Sequence, residues 1–186
     1  MPRVSESIDS VALNSTMVEQ PNAPRSRIDT PASIAPHVAK FCRSVNPNAE
    51  PVYIAHEADA NIIVNECFPD VAAKIDRDGG AAVIGWQVWE FPNVFIEAEF
   101  HCVWASPAGH CVDVTPKPEP LARILFLPDT RRAWSGRRVD NIRQSLRDDR
   151  VIVDFLRVKH AIFEVANRGH RADKRVVEIR LAQYVT

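Results

Sequence analysis

The longest regular pattern in the chain is an alternation. Over residues 95–105, Phe95, Glu97, Glu99, His101 and Val103 share one side, and Ile96, Ala98, Phe100, Cys102 and Trp104 share the other. A period of two over that length predicts a strand. Residues 83–91, with Trp86 and Trp89, predict the strand before it, and Asn93 begins the turn between them. Further strands are expected at 51–55, 110–115 and 123–127, with Pro116, Pro118 and Pro120 separating the last two. A short helix is expected at 37–45, ended by the turn Asn46-Pro47-Asn48. At 148–166, Val151, Phe155, Val158, Ile162 and Val165 recur at three and four. That spacing predicts an amphipathic helix facing the core, closed by Asn167-Arg168-Gly169. Residues 175–185 are ambiguous, although Val177, Ile179 and Leu181 alternate as in a strand.

One more helix is expected over 68–75. Pro69 suits a first turn, where its missing N–H costs nothing. Asp70 suits the positive end of the helix dipole, and Gly79-Gly80 supplies a stop. Cys67 therefore sits at or just before a helix N-terminus.

Residues 1–35 are rich in Ser, Pro, Thr and Asn and show no sustained period. They read as a disordered tail or as a leader for a secretion machine. Residues 36–186 read as a single α+β domain. The chain has 186 residues, 46% hydrophobic and 25% charged, which is ordinary for a soluble globular protein. It has neither an apolar run long enough for a bilayer nor the basic-then-apolar start of a signal peptide. A cytoplasmic protein is expected, with export through a non-classical leader as the alternative. The four cysteines form no C-x-x-C pair and are sparse for a disulfide scaffold, so free thiols are expected. Charge is uneven: residues 37–120 hold 5 Lys/Arg and 12 Asp/Glu, whereas residues 121–186 hold 15 and 8. Two mutually attracting halves of one domain account for this. A basic face around Arg131, Arg132, Arg137 and Arg138 is the sharper alternative.

A thiol becomes a useful nucleophile when a helix N-terminus favours its anion and a histidine stands nearby. The segment after the long strand offers such a histidine. Ser106-Pro107-Ala108-Gly109-His110 has Pro at the second position of a type I turn and Gly where a left-handed residue is needed. That is a three-residue hairpin loop with a Gly bulge. It pairs Trp104 with a residue near 112, Val103 with Asp113, and His101 with Thr115. His101 and Asp113 then lie diagonally on one face, whereas a two- or four-residue loop would separate them. The repeated His-Cys-Val also suggests a metal site from His101, Cys102, His110 and Cys111. Neighbours on a strand point to opposite faces, so at most two of these converge.

The string His101-Cys102-Val103-Trp104, a Gly turn, then Val112-Asp113-Val114-Thr115-Pro116 resembles the H-x-W and D-x-T signature of transglutaminase-like proteins. Cysteine at a helix start, then His on a strand, then Asp on the next, is similar to the order in that branch of the papain-fold cysteine hydrolases. The resemblance covers roughly residues 60–120. Glu66 and Phe68 flank the cysteine where the family usually has Trp or Gly. The resemblance implies an α+β, papain-like fold: a helix bearing the cysteine packed on an antiparallel sheet, with a C-terminal helix. It implies a thiol-dependent hydrolase or acyltransferase with Cys67 as nucleophile, His101 as base and Asp113 as orienting carboxylate. Asn61 matches the spacing of the papain oxyanion glutamine, and Asn65 is equally placed. Trp86 and Trp89 are candidates to line a substrate groove. No cofactor and no metal are implied. The expected partner is a peptide, protein or small amide, and not a membrane or a nucleic acid; oligomeric state stays open. The alternative is a non-catalytic binding module on the same fold, meeting an anionic partner through the Arg131–Arg138 face.

Overall fold

The computed structural model describes residues 27–61, 66–118 and 121–168. The elements run α1 (Pro36–Val45), β1 (Val52–His56), α2 (Cys67–Asp78), β2 (Ala81–Phe91), β3 (Phe95–Ala105), β4 (Cys111–Asp113), β5 (Arg123–Pro128), β6 (Ile142–Ser145) and α3 (Arg150–Asn167). The ambiguous segment 175–185 lies outside the described residues, as do residues 1–26.

β2 and β3 form a full-length antiparallel ladder, from Ala81 opposite Ala105 to Phe91 opposite Phe95. The other edge of β2 pairs with β5, β5 pairs with β1, β1 pairs in parallel with β4, and β4 returns to β3. The five strands thus close into a mixed barrel, and β6 hangs on β3 outside the ring. This corrects the papain-like expectation of a helix on an open antiparallel sheet. The physical reason lies in β3, which is buried along nearly its whole length on both faces. A sheet with two apolar faces needs two covers. Closure supplies one and the helices supply the other.

Inside the ring lie Ile54, Val103, Ile124 and Phe126, with Val83 packed against them. Outside, Trp86, Val88, Ile96, Ala98, Phe100, Leu125 and Leu127 meet Val38, Phe41 and Cys42 of α1. Burying each of the larger side chains stabilises the fold by about 1.5–3 kcal/mol. α2 covers the neighbouring outer patch, where Val71 packs with Cys102 and Val114. The start of the described chain also lies on the barrel: Asp29 bridges to Glu90, and the Tyr53 hydroxyl donates to the Pro31 carbonyl.

Two expected details differ. β6 has no alternation of its own and is not among the strands the pattern predicts; its backbone joins the edge of β3 at Phe95–Ala98. The stripe on α3 does not face a core throughout. Val151 and Phe155 are exposed, Ile152 is the buried residue, and an Asp149 side chain caps the first turn. Ion pairs of Arg143 and Lys159 with the buried Glu97, together with Phe155 against Phe95, bring β6 and α3 to the barrel.

Candidate active site

The hairpin after β3 forms as its turn residues dictate. The Ser106 N–H donates to the His110 carbonyl and the Gly109 N–H to the Ser106 carbonyl. Gly109 has φ of 86°, a conformation that penalises any residue with a Cβ. Trp104 then falls opposite Val112 and Ala105 opposite Cys111. This register places Asp113 on the same side as Val103 and His101, toward the barrel interior. The His101 Nε2 and the Asp113 Oδ1 are 2.9 Å apart, and both side chains are buried. The Thr115 N–H donates to the same oxygen at 3.3 Å.

Cys67 is the first residue of α2 and is half-buried. It lies close enough to His101 for its thiol to raise the pKa of the imidazole. α2 is pinned at both ends. The Trp104 indole donates to the Gly79 carbonyl at its C-terminus. Phe68 packs on Phe100 with centroids 5.3 Å apart, and stacks on Trp134 at 4.1 Å and 7°. Lys74 and Arg77 bond Asp59, tying the helix to the segment after β1.

β4 leaves β3 beyond Trp104, and β6 joins β3 only from Ala98. Residues 99–103 therefore lack a strand partner on that edge. Beside this opening lies a cleft of about 380 Å³ lined by Cys67, Glu66, Phe68, Glu99, Trp134 and Asn141, among others.

The electrostatics follow from burial and partners. Burial by itself would lower the His101 pKa, but the hydrogen bond to Asp113 and the nearby Cys67 thiol outweigh it and raise the value to about 9. Burial would raise that of Asp113; the hydrogen bond and charge of His101, with Lys117 beside it, bring it down to about 2. Burial pushes the Cys42 thiol up to about 11 and the Cys102 thiol up to about 12. Those two cysteines are core residues. Cys111 is half-buried and packs at one end of the barrel interior.

Cys67, His101 and Asp113 are brought together; Asn61, Trp86 and Trp89 do not line the cleft. The Trp86 indole is buried in the core, donates to Asp129 and does not line the cleft. The Trp89 indole donates to Glu99, which does line it. Asn61 bonds Asp59 on the surface, and Asn65 lies outside the described residues. The cleft wall instead uses Trp134, Arg138, Val139 and Asn141 from the loop before β6, and Phe163 from α3. Trp134 stands among the arginines of the expected basic face, and no local signal aims this loop at Cys67. Of the arginine cluster, Arg131 and Arg132 are tied to the buried Asp129. Among the described residues, no group of three or more His, Cys, Asp or Glu could hold a metal ion. No described helix is long and apolar enough to cross a membrane. In comparisons with known proteins, no family model, no curated protein and no solved structure matches the chain.

Proposed function

We propose that the protein is a thiol-dependent hydrolase or acyltransferase acting on an amide or ester carbonyl. The observation that carries this is one buried imidazole held by Asp113, with the Cys67 thiol at a helix start close enough to raise its pKa. A carboxylate that orients a histidine, and a histidine near a thiol at a helix start beside a cleft, is the arrangement nucleophilic catalysis needs.

In this reading the Cys67 sulfur attacks the carbonyl carbon and His101 takes up the thiol proton. The C–N or C–O bond then breaks, His101 passes its proton to the leaving amine or alcohol, and a thioester remains on Cys67. Water attacks the thioester in hydrolysis, an amine in transfer, and His101 again moves the proton. Asp113 stays ionised and holds the ring. The first N–H groups of a helix have no partner within it, and that of Cys67 is the natural donor to the oxyanion. The apolar wall of Phe68 and Trp134 supports a peptide or small amide as substrate. The order of the three residues is that of transglutaminase-like enzymes, on a different frame.

The test is to trap the acyl-enzyme with an activated ester and locate it by peptide mass spectrometry. Acylation confined to Cys67 and lost in His101→Gln supports the reading. Scattered or absent acylation contradicts it.

A second reading is a binding module for an anionic partner. It rests on Arg137 and Arg138, which with Arg168 line a neighbouring cavity of about 580 Å³. It predicts salt-sensitive binding that is lost when those charges are reversed.

A further inference from the structure

Behind the imidazole the polar chain continues into the barrel. Lys117, from the crossover between β4 and β5, places its Nζ 3.2 Å from the Asp113 Oδ2, an ion pair and not an aligned hydrogen bond, since that oxygen has no hydrogen-bond partner among the described residues. The same ammonium donates to the Gln87 Oε1 at 2.9 Å. The Lys117 side chain is 9% exposed and that of Asp113 is wholly buried. Pro116 and Pro118 flank Lys117 and stiffen the backbone that carries it. Gln87 is buried on β2, and its amide nitrogen has no hydrogen-bond partner among the described residues. A buried half-satisfied amide is destabilising. That cost is unexplained by packing, and it is offset where the other half of the amide holds an ammonium in place.

We propose that Lys117 is a positioning residue for the site: it holds Oδ2 of Asp113 from inside the barrel, so that Oδ1 is presented to His101. The role rests on the thiol chemistry proposed above, and it has an electrostatic side. A base that holds its proton too tightly is a poor proton carrier near neutral pH. Asp113 and Cys67 draw the proton onto His101, whereas the Lys117 charge opposes it. Sharing one carboxylate between two cations therefore keeps the imidazole from becoming still more basic. The other groups around the ring do not supply this counterweight. β2 brings Gly85 opposite His101, and neutral Gln87. β1 brings His56, whose ring nitrogens each lie 3.0 Å from a carbonyl, those of Leu121 and Thr115. Glu99 on β3 is bonded to Trp89.

The experiment is an NMR titration of the His101 imidazole in the full chain, alongside iodoacetamide labelling of Cys67. Lys117→Met removes the charge. Lys117→Gln removes it but keeps a donor toward Asp113, which guards against a variant that fails to fold. Lys117→Arg keeps the charge. The first two should move the His101 midpoint up by about one pH unit. Lys117→Arg should stay close to wild type. A merely structural lysine would alter the melting temperature and leave the midpoint unchanged. An unmoved midpoint in the folded neutral variants would overturn the proposal. The two ideas fail separately: slow wild-type Cys67 labelling would count against the thiol chemistry, whereas normal labelling with an unmoved midpoint would count against Lys117 alone.

Discussion

Two buried aspartates sit in this barrel, and their partners set them apart. Asp129, at the end of β5, accepts from the Trp86 indole at 3.0 Å and from the Arg131 guanidinium at 2.8 and 2.9 Å. Asp113 accepts from His101 and faces Lys117. Both carboxylates are held down to about 2, Asp129 chiefly by Arg131, Asp113 by His101 and Lys117 against its own burial. An indole and a guanidinium do not exchange a proton near neutrality, whereas an imidazole does. Asp129 is therefore a clasp, closing β5 onto β2 and the following loop. In the proposed reading, Asp113 is the back of a proton path whose front is a thiol. Burial of a carboxylate alone does not mark a site; the titration range of its partner does.

The largest expected effect comes from the front of that path. Cys67→Ala should abolish acyl transfer, read as loss of the acyl-enzyme, with melting close to wild type because the thiol is only half-buried. Asp113→Asn should lower turnover by roughly 10²–10⁴-fold, the span that acid–base assistance contributes. It should also destabilise the fold, since Lys117 loses its counter-ion. Asp129→Asn should cost about 1–3 kcal/mol in urea unfolding and leave acylation of Cys67 unchanged. Equal effects of the two Asn variants on acylation would break the distinction between clasp and site.

A smaller effect separates the pair by pH. His101 titrates higher folded than unfolded, so its contribution to stability is full below about 6.5 and is lost as pH rises through about 9. Asp113 and Asp129 titrate lower folded, so theirs is present above about 3.8 and is lost as pH falls toward about 2. The melting temperature should decline on both sides of that plateau. His101→Gln should remove the alkaline decline, and Asp129→Asn should change only the acid one.

Much of the candidate site's geometry was legible in local chemistry. Pro107 and Gly109 fix a three-residue loop, the loop fixes parity, and parity puts His101 and Asp113 on one face. Pro69, Asp70 and Gly79 mark α2 and its start at Cys67. The frame was not legible, because closure depends on β1 pairing in parallel with β4, more than fifty residues away. No local pattern encodes such a pairing, and the order of three site residues does not fix the sheet that carries them. The cleft wall was missed for the same reason: Trp134, Arg138 and Asn141 come from a loop that tertiary structure alone brings to Cys67. Trp86 looked like a groove residue, but its indole nitrogen finds a buried partner in Asp129, which lets the ring sink into the core. Lys117 lay between prolines in what read as a connector, and only the closed barrel turns it inward.

The most direct test is the alkylation rate of each of the four cysteines by iodoacetamide at about pH 6, followed by peptide mass spectrometry in wild type and His101→Gln. Cys67 should react fastest, Cys111 slower, and buried Cys42 and Cys102 last, with the advantage of Cys67 lost in the variant. Four cysteines reacting alike, or a Cys67 rate indifferent to His101, would contradict the proposed site.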